Sequence, residues 1–553
     1  MAPCRWYSLR AVSNREPSSV SQLQPRSAEP SAPAVEHNPA NWIRHWAEQH
    51  GERTAIVFDQ RESSWVDFEN RVGQLADALS GMGVRAGDRV AIHLANHPAY
   101  LDVVFACARI GAISLPINLR LAPAELAFIL GDAEPTLVVR DREHEAVLAA
   151  AGDRLGKTPA DWCVPDSLDA WASELAARAE SSAHALPDIA PVRPDDPMMI
   201  MYSSGTTGTP KGAVLPHRKA LFNALNAVGC FAIEPAARCL VFAPLFHSLG
   251  LHILSLPLLF GGGTLVLHRR FEAEAVLEDV GRQRISYMGG VPTHYERLLD
   301  ALAKPEASFD LSSLQFLFGA GAAIEPATVH AFADHGVVLK QGYGQTETSM
   351  LCCLEEADAA RKAGSVGRPL EHLTLRVIDR ESLGGPVADW RDVSGDPGVG
   401  EVGEVVVRGP VTMLGYWRNE AATRETLRDG WVLTGDLARI DPEGFVTLTG
   451  RSKEMFISGG ENVYPAEIEA AYADHPEVRE IAVVGVEDPD WGEVGIAFVV
   501  REPGRDVGAE ALLAWGREVL APFKLPRDFV FVDALPRTGS GKVQKFKLAA
   551  SRE

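Results

Sequence analysis

The densest run of chemically useful residues is Ser203-Ser204-Gly205-Thr206-Thr207-Gly208-Thr209-Pro210-Lys211-Gly212, directly after the apolar run Met198-Met199-Ile200-Met201. Glycines and small side chains let backbone N–H groups approach phosphate oxygens closely, and the hydroxyls and Lys211 add further donors. The apolar run on one side argues for a strand feeding a phosphate-binding loop rather than for a flexible Ser/Thr/Gly linker. Pro210 stands where the Walker A pattern needs glycine before its lysine, so the loop is of another kind. A second glycine run, Gly319-Ala320-Gly321-Ala322, lacks the third glycine of a dinucleotide fingerprint, because Ile324 stands there.

Elements must hold these loops in place, and their pattern alternates. Residues 90–94 read as a short strand. Residues 98–110 read as a helix with Leu101, Val104, Phe105 and Ala108 on one face, and residues 112–117 as another strand. This rhythm recurs for several hundred residues and predicts α/β layering. A strand at 314–317 precedes Gly319, and a helix opens near Pro326. Residues 381–400, rich in Gly, Asp and Pro, read as a surface loop. Strands are expected at 405–407 and 445–448. A smaller α/β segment then closes the chain, with a helix near 466–472 and strands at 481–486 and 496–500.

A chain of 553 residues is too long for one ordinary hydrophobic core, so at least two domains are expected. The formal net charge of −21, from 53 basic and 74 acidic residues, repels nucleic-acid phosphates and anionic lipid, and no basic patch offsets it. Seven cysteines without a CxxC pair read as reduced thiols of a cytoplasmic protein. The longest apolar run, 253–267, falls short of the ~18 residues a membrane span needs and is interrupted by Pro257 and three glycines. It reads as a buried helix, a turn and a strand, and no transmembrane segment is expected. Residues 1–38 are taken as a disordered N-terminal extension. Arg5, Arg10, Arg15 and Arg26, with no acid before Glu16, equally fit a transit peptide or a misassigned start.

The run at 203–212 resembles the phosphate loop of the adenylate-forming (AMP-binding) superfamily, which includes acyl-CoA synthetases, aryl-CoA ligases, luciferases and adenylation domains of peptide synthetases. The resemblance covers residues 40–548, and further motifs follow in the family's order. Gly342-Tyr343-Gly344-Gln345-Thr346-Glu347 resembles the adenylate-binding motif, and Trp431-Val432-Leu433-Thr434-Gly435-Asp436 the ribose motif. Gly450-Arg451-Ser452-Lys453 and Gly459-Gly460-Glu461-Asn462-Val463-Tyr464-Pro465 resemble the hinge and the thioester-forming loop. Pro536-Arg537-Thr538-Gly539-Ser540-Gly541-Lys542 resembles the catalytic-lysine motif.

The resemblance implies a large, multi-subdomain α/β domain over 39–450, a hinge at 451–453 and a small, mobile α+β domain over 454–553. It also implies ATP, Mg2+ and coenzyme A as co-reactants, with a small-molecule carboxylic acid as substrate. Attack of a carboxylate on the α-phosphate of ATP brings two anions together, so such a site needs cations. The family pattern assigns Lys542 to bridge carboxylate and phosphate, Glu347 to hold Mg2+ as a hard oxygen ligand, and Thr346 with the loop hydroxyls to hold phosphates. It assigns Asp436 and Arg451 to the ribose, Gly319-Ala320-Gly321 to the adenine side, and Lys453 to the hinge. Gly459-Gly460 would press against a pantetheine arm, and His247 would gate the acyl pocket. By residue type alone, His247 equally fits a packed core histidine, Asp436 a turn former and Gly459-Gly460 a tight turn.

The segments matching the family's acyl pocket (residues 247–251, 289–293, 319–323 and 342–350) are small and apolar, which argues against an amino acid and suits an alkyl chain or a flat ring. Residues 361–368 and 458–465 look most like fatty-acyl-CoA synthetases, so a medium- or long-chain fatty acid is expected. The alternatives are an aryl acid, or malonate held by Arg297, whose other reading is a surface helix arginine. A separate carrier protein is an alternative acceptor, and a homodimer is compatible with the chain. A non-catalytic adenylate-binding protein would be expected to lack Lys542, Glu347 or the phosphate loop, and all three are present. Lys542→Ala is expected to abolish adenylate formation while sparing thioester formation from a supplied acyl-adenylate, and Lys453→Pro to do the reverse. Separate assays of the two half-reactions check both, and equal loss of both would defeat the assignment.

Overall fold

The computed structural model describes residues 37–156, 160–181, 187–203, 210–305, 308–394, 401–452, 454–458, 461–489, 491–520, 522–537 and 543–550. Among these, a seven-stranded sheet runs in the order Gly415–Tyr416, Lys211–Pro216, Pro197–Ser203, Ile113–Pro116, Arg89–His93, Leu137–Arg140, Asp161–Cys163. A nine-stranded sheet runs Arg368–Pro369, Ser349–Cys353, Leu339–Gln345, Phe316–Gly319, Tyr287–Gly290, Arg238–Val241, Thr264–Leu267, Thr54–Phe58, Arg61–Ser64. The nine-stranded sheet is parallel inside and antiparallel at both edges, whereas the seven-stranded sheet is antiparallel at its Gly415–Tyr416 end and parallel from Pro197–Ser203 through to its other edge, Asp161–Cys163. Parallel neighbours need crossover connections, and the intervening helices cover the sheet faces.

The helix Pro98–Ile110 forms over the expected residues, opened by Pro98 in its first turn and stopped by Gly111 at φ 72°. It is buried on every side rather than along one stripe. The helices Ala40–His50, Trp65–Gly81 and Leu168–Ser181 pack around it. Trp65–Gly81 starts with a reciprocal cap, in which Ser64 Oγ accepts from Asp67 N and Asp67 Oδ2 accepts from Ser64 N. Between these helices lies an ion pair removed from water. Arg71 Nε donates to Asp102 Oδ2 at 3.0 Å, and Trp171 Nε1 donates to the same oxygen at 2.8 Å. Burial pushes the Asp102 carboxyl up even with Arg71 beside it.

Four sequence expectations change. The strand expected at 314–317 runs Phe316–Gly319, in register with Tyr287–Gly290, because pairing across the sheet and not apolar run length sets its ends. Residues 253–267 do form helix, turn and strand, but the helix opens as a π-helix, Leu249–Ser255, before Leu256–Phe260. Within 381–394 the expected surface loop has two single-turn helices, and Leu383 and Val393 are buried, Val393 N donating to Val377 O; residues 395–400 lie outside the described part. Asn38, placed in the N-terminal extension by the sequence, is fully buried, and its amide donates to Ala108 O and Ala190 O. Residues 1–36 lie outside the described part.

A third, antiparallel sheet holds Thr374–Ile378, Gly403–Arg408, Trp431–Ile440 and Leu427–Arg428, with Val446–Arg451 paired to Trp431–Ile440. The smaller C-terminal part has its own sheet: Glu461–Val463, Phe456–Ser458, Gly492–Arg501 and Val478–Asp488, with Asp528–Phe531 parallel to Gly492–Arg501. The helices Pro465–Ala473 and Ala509–Val519 belong to this part, and its core includes Phe456, Ile468, Tyr472 and Val499. The fold is therefore mixed α/β, a large N-terminal part followed by a small one. Among the described residues no helix is long and apolar enough to cross a membrane, and Cys107, Cys163, Cys230, Cys239, Cys352 and Cys353 are free.

The Arg71–Asp102 pair generates a stability prediction. Asp102→Ala strands a buried guanidinium and should cost about 3–5 kcal/mol of unfolding free energy, read by denaturant titration. A loss under ~1 kcal/mol would mean that the pair is effectively solvated.

Candidate active site

The site is built around one hairpin, Leu339–Gln345 returning as Ser349–Cys353. Its tip, residues 346–348, carries Thr346 and Glu347. The hairpin is irregular between Tyr343 and Gly344, and Ser349 takes the left-handed conformation at φ 61°. A Cβ on Gly344 would lie 2.0 Å from Ser349 O, so only glycine lets the strands close there. Gly342 is also packed closely, its missing Cβ position 2.4 Å from the Phe318 ring.

Beside the hairpin stands Asp436, 7% exposed, on the strand Trp431–Ile440. Its Oδ2 accepts from Tyr343 Oη at 2.6 Å and from Gln345 Nε2 at 2.5 Å. Its Oδ1 lies 3.1 Å from Arg451 Nε, on the register partner across the sheet. Gln345 Nε2 also donates to Thr434 O at 2.9 Å. Burial, with the neighbouring carboxylate, holds the Tyr343 phenol well above its ordinary value, so it stays a donor. The Asp436 charge raises Arg451 further. Below them Glu404, raised chiefly by burial, accepts from Gly435 N at 3.1 Å.

The tip itself is tied on several sides. Ser248 Oγ lies 3.5 Å from Thr346 Oγ1. Tyr416 Oη donates to Glu347 Oε1 at 3.0 Å, and Met413 N donates to Glu347 O at 2.7 Å. Lys211, the first residue of the strand Lys211–Pro216, holds its Nζ 5.4 Å over the Tyr416 ring. Lys219, on the helix His217–Phe231, is fully buried and its ammonium donates to Ser349 Oγ. Burial brings Lys219 down to about 7, opposed by the nearby Glu347 charge.

The structure thus brings together Gly342, Tyr343, Gly344, Thr346, Glu347, Lys211, Asp436 and Arg451. Gly319 closes its strand next to the hairpin, Ala320 N donates to Gly290 O, and Gly321 takes φ 89°. His247 lies half-buried two residues before the π-helix, its ring against Phe246 at 4.4 Å between centroids. Ser203 ends the strand Pro197–Ser203. Ser204, Gly205, Thr206, Thr207, Gly208, Lys453, Gly459, Gly460 and Lys542 lie outside the described residues.

Sequence reasoning missed Tyr416, Lys219 and Ser248, and gave Gln345 and Thr434 no role of their own. Tyr416 stands 69 positions beyond Glu347, and no local pattern links them. Lys219 did carry a signal, since it lies three and four residues before Phe222 and Asn223 on a helix of apolar and small residues.

What the arrangement offers is a carboxylate pinned by three donors, a second carboxylate at a turn beside two hydroxyls, and cations on both flanks. That set suits a nucleotide with its phosphates. Residues 43–417 match the family model for AMP-binding enzymes, and residues 467–542 the model for the AMP-binding enzyme C-terminal domain. The chain is 41% identical over 509 residues to a feruloyl-CoA synthase of an Amycolatopsis species, covering 91% of this chain and 97% of that one. It is 38% identical over 516 residues to an indoleacetate–CoA ligase of Aromatoleum aromaticum, covering 92% and 96%. ATP-bound MatB from Rhodopseudomonas palustris superposes with a TM-score of 0.81 at 31% identity, covering 93% of this chain and 98% of that one. Both ligases are named for aromatic acids, the class that the sequence reading held as an alternative, and neither is named for the fatty acid that it expected. The chain belongs to the AMP-binding enzyme family.

Proposed function

We propose that this enzyme ligates an aromatic carboxylic acid to coenzyme A in two steps. In the first, a carboxylate oxygen attacks the α-phosphorus of ATP and pyrophosphate leaves. In the second, the thiolate of coenzyme A attacks the acyl carbon of the adenylate and AMP leaves. The enzyme is an AMP-forming acid–thiol ligase that works with ATP, Mg2+ and coenzyme A. The observation that carries the reading is the junction of the two motifs: the hairpin with Thr346 and Glu347 is bonded directly to Asp436. A nucleotide whose ribose lies on Asp436 and Arg451 has its phosphates toward that hairpin tip.

The roles follow from the chemistry of each group. Asp436 accepts from ribose hydroxyls and Arg451 donates to them. Thr346 and the hydroxyls of the phosphate loop hold phosphate oxygens, with Lys211 at the end of that loop. Lys542 joins the acyl carboxylate to the α-phosphate. Lys453 is the pivot at 451–453 about which the small domain, 454–553, turns between steps, and Gly459-Gly460 line the pantetheine arm. His247 stands between acyl pocket and pantetheine. The donor set at Glu347, one hard carboxylate oxygen beside hydroxyls, fits Mg2+, which keeps most of its shell as water and phosphate oxygen. When bound there, Mg2+ neutralises charge on the transferring phosphate.

One observation favours an aryl acid, and another tells against malonate. The two full-length relatives at 41% and 38% identity are named for feruloyl and indoleacetyl substrates. The malonate alternative needs Arg297 to face a closed pocket, and Arg297 is exposed on the helix Pro292–Leu302.

Pyrophosphate release with Mg·ATP over a panel of aryl, fatty, dicarboxylic and amino acids, with and without coenzyme A, tests the reading. Turnover dependent on coenzyme A should peak on aromatic acids. A peak on alkyl acids would overturn the substrate, and adenylate without thioester would point to a carrier protein as acceptor. Asp436→Ala should weaken ATP binding at least ~10-fold by calorimetry, the value of hydrogen bonds to a charged group. An unchanged affinity would remove Asp436 from the ribose site.

A further inference from the structure

Two side chains grip the tip of the hairpin without a role in the two steps above. The first is Tyr416, on the short strand Gly415–Tyr416, which pairs antiparallel with Lys211–Pro216. Its hydroxyl donates to Glu347 Oε1 at 3.0 Å, and its ring lies under Lys211 Nζ at 5.4 Å. One phenol therefore touches both the carboxylate at the tip and the lysine that ends the phosphate loop. Burial and the Glu347 charge raise this phenol, so its oxygen keeps the proton that it donates.

The second is Lys219. Its side chain is fully buried, and among the described residues it forms no ion pair. A buried ammonium without a carboxylate in contact costs stability. Its hydrogen bond goes to Ser349 Oγ, two residues past Glu347, and the Glu347 charge attracts it. Asn223, one turn further along the same helix, accepts from Met350 N at 3.4 Å. The helix His217–Phe231 thus holds the returning strand just where Ser349 takes a left-handed backbone, a conformation that costs energy unless its surroundings impose it.

We propose that Tyr416 and Lys219 are positioning residues that together fix the Glu347 carboxylate for Mg2+ brought in with ATP. Tyr416 orients the carboxylate itself, and Lys219 holds the turn through Ser349. The inference rests on Glu347 as the Mg2+ ligand, the role given it above, and extends it to the residues that set the ligand's geometry.

The test is calorimetric titration of ATP into the wild-type enzyme, Tyr416→Phe and Lys219→Met, each in Mg2+ and again in EDTA. In Mg2+ both variants should bind ATP ~10-fold more weakly than wild type, and in EDTA within about twofold of it. A general packing defect would weaken both titrations alike, so equal loss in EDTA overturns the proposal, as does wild-type affinity of Tyr416→Phe in Mg2+. Tyr416→Phe removes a single oxygen and carries the test if Lys219→Met does not fold. The titration needs no acid substrate. Failure of every aromatic acid to turn over would thus remove the substrate proposed above and leave this inference standing. A wild type with equal ATP affinity in Mg2+ and EDTA would end it.

Discussion

The carboxylate of Asp436 is the interaction on which the site depends. A charge taken this far out of water is costly by several kcal/mol unless donors surround it. Here three do, from two sheets: Tyr343 and Gln345 from the nine-stranded sheet and Arg451 from the antiparallel one. Satisfying one buried charge therefore ties the two sheets together at this point. The ribose site proposed above uses the same carboxylate, so on that reading the functional surface and the structural joint are one feature.

From that joint the hairpin reaches outward, and nearly every residue near its tip is held by a different part of the chain. Gln345 is tied to Thr434, Glu347 to Tyr416 and Met413, Ser349 to Lys219, and Met350 to Asn223. Each bond alone contributes ~1 kcal/mol net. Together they remove the freedom of a turn that contains an irregular register and a left-handed serine. If Glu347 holds Mg2+ as proposed, such support matters, because a ligand that has to be ordered during binding weakens that binding.

The charge balance shows the same division of labour. The chain carries −21 overall, yet the groups around the hairpin include Lys211, Lys219 and Arg451. A net negative surface keeps polyanions away in general, while a few cations set close together can still attract a small anion locally.

By itself the sequence determined what local chemistry and periodicity can report. The strand–helix–strand rhythm, the bounds of the helix Pro98–Ile110, the strand before residue 204 and the adenylate motifs were all legible, because each is encoded within a few turns of chain. The ends of the strand Phe316–Gly319, the burial of Asn38 and the packing of Leu383 and Val393 were not, because partners far along the chain decide them. Tyr416 and Lys219 belong with these: a tyrosine or lysine takes its role from the group it faces. The acid is a further case, since small apolar segments suit an alkyl chain and a ring alike, and the relatives supplied the preference. Tertiary structure alone decided that Tyr343, Gln345 and Arg451 share one carboxylate, since a buried charge can collect its donors only once two sheets have closed around it.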